Sequence, residues 1–430
     1  MSRKVIVISN NCFSSHYNNG KTLEAIFNKV SKENISQIFF SGFEEPDLDY
    51  CEKYFRILDS DIIANIKSPR LQCGQAIQTN YNYVPKRISK SGIAGRFLSN
   101  RISLQRIIRD ALWVWGNWKS QKLIEWCNNQ KADYIFFVGG PNGFAHNVAL
   151  YVKGLLNIPV VTFFTDDYLI YPKRRNIFDL LQKFRISRFY KRTINGSSLC
   201  FCISDQMSKE YGARFRKEFK VIMNSVSIGQ FTPIDLEKRI LVMRYFGSMH
   251  TNRWKMLVRL GELVQENERI TLQVYCLEKP KEKVMEEFKR TNIVYMGGAA
   301  GYELEKRIRE ADILLHVESD DELSKAITRL SISTKIPEYL ALCRPVLAFG
   351  PSEVASMKLL KDNKIGLVVD SNESDKSILK NLEELFDDEN YRVILAKRGY
   401  NYVLENFDNQ KVTFNFNLDI ESIFSTQKSI

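Results

Sequence analysis

Residues 331–350 read SISTKIPEYLALCRPVLAFG: a polar cap, a short amphipathic stretch and an apolar run. Ser333 or Thr334 can cap a helix that begins near Lys335, and Pro337 is tolerated there because it falls in the first turn. RPVLAFG (344–350) is a continuous apolar run with no polar alternation, the pattern of a strand covered on both faces. A helix feeding such a strand is half of an α/β unit.

Working outward, the same style repeats on both sides. RILVMRYFG (239–247), TLQVYC (271–276), NIVYMG (292–297), ADILLHV (311–317) and GLVVD (366–370) complete one set of strands. KVIVIS (4–9), SQIFFS (36–41), DYIFFV (133–138), IPVVTFF (158–164) and SLCFCI (198–203) form another. Longer amphipathic stretches separate them, which implies an α/β fold with parallel sheets. KVIMNSVSIGQFTPID (220–235) reads as a last strand and an irregular connection. The expected organisation is two Rossmann-like domains facing a cleft, 1–225 and 239–407, joined by a linker at 226–238, with 408–430 crossing back to the first.

Composition narrows the class. A 430-residue chain that is 44% hydrophobic can bury two cores, and 11 prolines and 21 glycines leave no room for a collagen-like or disordered architecture. The apolar run in MSRKVIVISN is only four residues long, too short for a secretory signal, and no run approaches the ~20 needed to span a bilayer. The eight cysteines show no CxxC and no zinc spacing, so they read as buried reduced thiols and no metal site is expected. A cytoplasmic protein is the expectation.

Open parallel sheets bind ligands beyond the carboxyl ends of their strands. After the first strand, Asn19 and Gly20 lie at a helix start where a sugar or phosphate could sit, although a plain β-to-α turn reads equally well. Gly20-Lys21-Thr22 imitates a P-loop, but the pattern's first glycine is Ser15. GGPNGFAHNVAL (139–150) turns into a helix near Asn142, with His146 one turn in, facing a ligand or packed in the core. In FFTDDYLIYP (163–172), Asp166 and Asp167 could hydrogen-bond sugar hydroxyls, bind a metal, or merely cap the next helix, although adjacent acids alone are a weak metal signal. In YFGSMHTNRWKML (245–257), Gly247 and Ser248 precede a helix start carrying Arg253 and Lys255. Near Lys335 the free N–H groups and the ammonium make an anion site, and Glu338, three residues on, can accept from the two vicinal hydroxyls of a ribose. The plainer reading of Lys335 and Glu338 is an i,i+3 surface ion pair.

The stretch S-x-S-T-K-x-P-E-Y-L-A-x-x-R-P-V-L-A resembles the donor-binding signature of GT-B glycosyltransferases. CISDQMSKEYGARF with KVIMNSV (202–226), the loop YFGSMHTNR, and GGAAGYELEKRIREADILL (297–315) resemble further parts of that family. The similarity is closest to the retaining, family-four-like enzymes of bacterial surface polysaccharide synthesis. It implies a GT-B fold, a first domain for the acceptor and a second for a nucleoside-diphosphate sugar. It also implies diphosphate contacts from Gly247, Ser248, Arg253, Ser333, Thr334 and Lys335, with Glu338 on the ribose. Asp166 and His146 are then the catalytic candidates, with Asn19, Gly20, Asn142 and Asp167 on the acceptor side. No metal or other cofactor is implied, because basic residues and a helix start meet the charge of the leaving diphosphate. Two departures stand out: Leu330 where many members carry a second glutamate, and Asp166-Asp167 where a His-Asp pair is common. A sugar-nucleotide epimerase of the same architecture and a non-catalytic surface-binding protein are the competing readings.

The charge is uneven. Lys and Arg number 62 against 50 acids, a net +12. Residues 86–122 hold nine basic residues and one acid, and residues 173–192 hold eight and one. These two stretches carry more than the whole net charge. Basic residues interleaved with Trp, Ile and Leu suit a helix at an anionic membrane surface, which implies a peripheral protein with a lipid-linked acceptor. An amphipathic helix packed on the core with a solvated basic face is the alternative. No nucleic-acid recognition motif is present.

Overall fold

The computed structural model describes residues 3–13, 18–42, 46–77, 102–169, 176–228 and 240–425. The chain divides into two compact units, residues 1–222 with 413–430, and residues 223–412. Most of the 226–238 connection and the 86–101 part of the first basic stretch lie outside the described residues.

The strands of the first unit are β1 (Val5–Ser9), β2 (Ile35–Phe39), β3 (Lys53–Arg56), β4 (Gln75–Ile77), β5 (Tyr134–Gly139), β6 (Val160–Phe164), β7 (Leu199–Cys202) and β8 (Lys220–Val221). Its helices are α1 (Asn18–Phe27), α2 (Asp59–Lys67), α3 (Ile102–Trp115), α4 (Gln121–Gln130), α5 (Gly143–Leu156), α6 (Ile177–Gly196) and α7 (Asp205–Phe215). The sheet runs in the order β4-β3-β2-β1-β5-β6-β7-β8, parallel except for β4 against β3. Ile6 and Ile8 of β1 pack on one face with Trp113, Leu123, Phe144 and Val148. On the other face, Phe136 meets Phe27 and Phe416 edge to face. Burial on both faces is why the strands read as unbroken apolar runs.

The second unit contains β9 (Leu241–Phe246), β10 (Ile270–Tyr275), β11 (Val294–Gly297), β12 (Ile313–Val317), β13 (Val346–Gly350) and β14 (Leu367–Asp370). Its helices are α8 (Arg253–Val264), α9 (Glu282–Arg290), α10 (Gly301–Arg309), α11 (Glu322–Thr328), α12 (Lys335–Ala341), α13 (Ala355–Asp362), α14 (Asp375–Asp387) and α15 (Glu389–Asn406). The order β11-β10-β9-β12-β13-β14 is that of a doubly wound sheet. Met243 and Tyr245 pack into one core with α8 and α14, whereas Phe246 packs into another with α12 and α13. The final helix α16 (Asn409–Ser425) places Phe416 against Phe27, Phe136 and Phe201 of the first unit. Glu421 takes a two-pronged bond from Arg3, and Asp419 pairs with Lys220.

All eight cysteines are buried and none forms a disulfide. Burial pushes several thiols up, Cys127 and Cys202 to about 12, so they behave as small apolar side chains. No helix among the described residues is long and apolar enough to cross a membrane. No group of three metal-ligating His, Cys, Asp or Glu side chains occurs among them either.

Candidate functional site

The second unit's sheet reverses its winding between β9 and β12, and a crevice at the carboxyl ends of two such strands is where doubly wound sheets take ligands. β9 leads through Gly247 and Ser248 to α8. Gly247 N–H is bonded to the Tyr275 carbonyl at 3.1 Å, and a Cβ at Gly247 would stand 2.5 Å from the Tyr245 hydroxyl. That hydroxyl folds under the loop and donates to the Ser248 carbonyl at 2.9 Å, so only glycine fits above it. The turn into α8 then uses two left-handed residues, Thr251 (φ 57°) and Asn252 (φ 58°). A β-branched residue in that region is strained, and such strain collects at ligand-binding loops.

Arg253 is the first residue of α8, and its Nη2 donates to both Glu318 oxygens at 3.2 and 3.1 Å. Glu318 follows β12, with its side chain only 3% exposed against 23% for Arg253. The carboxylate, opposed by desolvation, holds the guanidinium firmly in its charged form. Glu318 also lies 3.4 Å from the hydroxyl of Ser356 and 3.4 Å from His316 Nε2.

The segment that decides the fold sits beside this pair. α12 begins at Lys335, and the backbone N–H of Lys335 donates weakly to Ser333 Oγ at 3.4 Å. Thr334 occupies the cap position without a side-chain capping bond. Lys335 Nζ donates to Glu338 at 2.9 Å, both side chains about a quarter exposed, so the plain i,i+3 ion pair is present. Tyr339, one residue on, fastens α12 to the end of β9. Its hydroxyl donates to the Phe246 carbonyl at 3.2 Å and accepts from the Phe246 N–H at 3.3 Å. The glycine loop and the Lys335 helix are therefore held by one buried phenol. Leu330 is fully buried core, with no polar group to offer a ligand.

In the first unit, His146 lies in the core. It is completely buried, with Nδ1 2.9 Å from Thr193 Oγ1 and Nε2 3.1 Å from the Gly140 carbonyl. Phe137, Phe189 and Tyr190 surround its ring. Desolvation pushes it down to about 4, so it is a neutral core histidine that ties α5 to α6. Asp167 lies in the segment that follows β6. It is buried, and its Oδ1 accepts from the Tyr211 hydroxyl at 2.9 Å and from the Leu169 N–H at 3.0 Å. Asp166 is only half-buried and accepts from Thr165 Oγ1 and the Tyr168 hydroxyl at 3.1 and 3.3 Å. Asn142 caps α5 through its backbone alone. Asn19 and Gly20 belong to the first turn of α1, and the Asn19 side chain lies outside the described set.

The start of α5 is already occupied. Asp110 of α3, 2% exposed, accepts from the Gly143 and Phe144 N–H groups at 3.1 and 3.0 Å. A helix N-terminus favours an anion there, and the protein supplies its own. No local pattern signals this contact, since Asp110 sits 33 residues upstream inside a basic stretch.

His316 behaves like His146: fully buried, 3.0 Å from Ser356 Oγ, and pushed down to about 4 by desolvation. Both histidines fold neutral, whereas an unfolded histidine titrates near 6.5. The unfolded chain therefore binds more protons between pH 6.5 and 4, and stability is lost as the pH falls through that window. Urea unfolding at pH 7 and pH 5 should show a loss of roughly 2 kcal/mol per histidine. A flat profile down to pH 5 would show that neither ring is held neutral.

Each unit is thus a Rossmann-like layered sheet, and two in one chain define the GT-B fold. No protein-family model matches the sequence, and no curated protein does. Solved structures share the fold over the whole chain. Sucrose-phosphate synthase from Thermosynechococcus elongatus is 12% identical with a TM-score of 0.63, covering 99% of this chain and 100% of that one. Anabaena HepE, determined in complex with UDP-glucose, is 12% identical with a TM-score of 0.60, covering 98% and 100%. WaaG, a glycosyltransferase involved in lipopolysaccharide biosynthesis, is 12% identical with a TM-score of 0.55, covering 95% and 98%. At this identity the likeness is one of fold.

Proposed function

We propose that the protein transfers a sugar from a nucleoside-diphosphate sugar to an acceptor hydroxyl, with retention, at an anionic membrane surface. The observation that carries the donor half is the tie between Phe246 and Tyr339. It gathers a glycine loop, Arg253 and the Lys335–Glu338 helix start at the switch point of the second sheet. Two cations, Arg253 and Lys335, suit a leaving diphosphate, whose growing charge is the main thing to stabilise. The charge is met by side chains, so no metal is required by this reading. In this mechanism Lys335 exchanges Glu338 for a phosphate oxygen, and Glu338, released, accepts from the ribose hydroxyls. A phosphate oxygen of the departing group takes the acceptor proton, and Asp166 is the residue proposed to orient the acceptor. HepE's complex with UDP-glucose and WaaG's role in lipopolysaccharide biosynthesis support a nucleotide-sugar donor and a lipid-linked or polysaccharide acceptor.

The test is incubation with a panel of nucleotide sugars, read by thermal stabilisation and by slow release of the nucleoside diphosphate. An epimerase would alter the donor sugar without an acceptor, and a non-catalytic protein would leave every donor intact.

The membrane half of the proposal rests on α6. Its exposed apolar residues Ile177, Leu180, Leu181 and Phe184 (56% exposed) fall at helical spacing on one stripe. Lys183, Arg188, Lys191 and Arg192 lie on the same helix, whose only acid, Asp179, is spent on the helix cap and on Ser103. α3 contributes less than its composition implies: Trp113 is buried, and Arg109 is bonded to Asp59, although Trp115 is 75% exposed. Vesicles containing anionic lipid should bind the protein at low salt and release it at high salt. Leu180→Ser with Phe184→Ser should cut binding by about a hundredfold or more, since each buried apolar side chain contributes ~1.5–3 kcal/mol. Binding unchanged by the double substitution would remove α6 from the surface.

A further inference from the structure

We propose that Glu318 is a positioning residue for Arg253, holding the guanidinium where a nucleoside diphosphate can meet it; this rests on the donor site proposed above. Glu318 lies just after β12, across the switch point from the start of α8, where Arg253 stands. An arginine side chain at a helix start is mobile unless something holds it, and orienting it in advance removes that entropy from the binding step. Glu318 does this with both oxygens on a single nitrogen, Nη2. A guanidinium carries five N–H donors in a fixed fork, so the pairing aims the group without exhausting it. Arg253 Nε is buried with no hydrogen-bond partner among the described residues, which leaves a donor to be satisfied.

The carboxylate is itself fixed. Its backbone N–H is bonded to the Phe349 carbonyl at 3.1 Å, Ser356 Oγ lies 3.4 Å from Oε1, and His316 Nε2 is at the same distance. Gly350 packs beneath it, with space for no Cβ: one built there would stand 2.5 Å from the Glu318 carbonyl oxygen. The arrangement is a chain of contacts, from β13 through Glu318 to Arg253, ending at the glycine loop.

Sign separates this role from a mere charge effect. A buried carboxylate near a diphosphate repels it, so removing the charge should strengthen anion binding if the field were all that mattered. If Glu318 aims Arg253, removing it weakens binding. UDP, GDP, ADP and dTDP should be titrated calorimetrically against wild type, Glu318→Gln, Glu318→Asp, Arg253→Gln and the Glu318→Gln/Arg253→Gln pair. The expected result is a weakening of about ten- to a hundredfold in Glu318→Gln. Glu318→Asp, which keeps the charge but shortens its reach, should also weaken binding. Glu318→Gln should cost nothing further once Arg253 is Gln, the non-additivity of two residues acting as one. Thermal midpoints measured alongside identify folded variants, and Glu318→Asp stands in if Glu318→Gln does not fold. Equal or tighter binding by folded Glu318→Gln, or full additivity of the pair, would overturn the positioning role alone. A wild type that binds none of the four nucleotides would instead overturn the donor site, and the positioning role with it.

Discussion

Lys335→Ala is expected to lower sugar transfer by about two to three orders of magnitude, the scale found when one charge-stabilising donor is removed from a water-poor site. The thermal midpoint should hardly move. Lys335 and Glu338 are each about a quarter exposed, and a pair of that kind contributes under about 1 kcal/mol to folding. The substitution thus separates catalysis from stability. Glu338→Gln should act differently. It keeps the helix intact and leaves Lys335 free for phosphate, but weakens the grip on the ribose hydroxyls, so KM for the donor should rise more than kcat falls. The measurement is initial rate against donor concentration for both variants. Full activity in Lys335→Ala would mean that the ion pair is only a surface contact and that the donor reading of α12 is wrong.

Gly350→Ala should be the most damaging single-methyl substitution in the second unit. Gly350 ends β13 at φ 152°, a region used almost only by glycine, and its new Cβ would stand 2.5 Å from the Glu318 carbonyl oxygen. The neighbour is backbone of the adjacent strand, so no side chain can swing aside. The expected cost is about 3–5 kcal/mol, combining backbone strain with overpacking of a close-packed strand pair. The thermal midpoint would drop by roughly 6–20 °C for a unit of this size. Gly154→Ala makes the internal control. It lies on the exposed side of α5 with nothing within 4 Å of the new methyl, and it should stabilise by up to about 1 kcal/mol. A Gly350→Ala protein as stable as wild type would mean that β12 and β13 can part at their ends, and Glu318 would then not be rigidly held.

Much of the fold could be read from local pattern. β9 is legible because Met243 and Tyr245 face one core while Phe246 faces another, so all but Arg244 of its buried positions take apolar side chains. The start of α12 at Lys335 was legible from Ser333, Thr334 and the first-turn Pro337. β3 and β4 were not. KYFR and QAI are short, edge-side segments with no continuous apolar run, and pairing with a neighbouring strand is what makes them strands. The strength of the basic stretches was likewise plain, but not which helix shows an apolar stripe to solvent. α3 turns Trp113 into the core, and α6 keeps Phe184 out.

By itself the sequence determined the succession of buried strands, the glycine at the β9 loop, the lysine at the α12 start and the buried thiols. Each follows from residues within a turn or a strand of one another, where periodicity and backbone sterics act directly. Only the tertiary structure decided that His146 is a core residue, that Asp110 fills the start of α5, and that Glu318 takes hold of Arg253. Asp110 reaches across 33 residues and Glu318 across 65. A buried charge needs a partner wherever the fold brings one, and no local periodicity records which partner that will be.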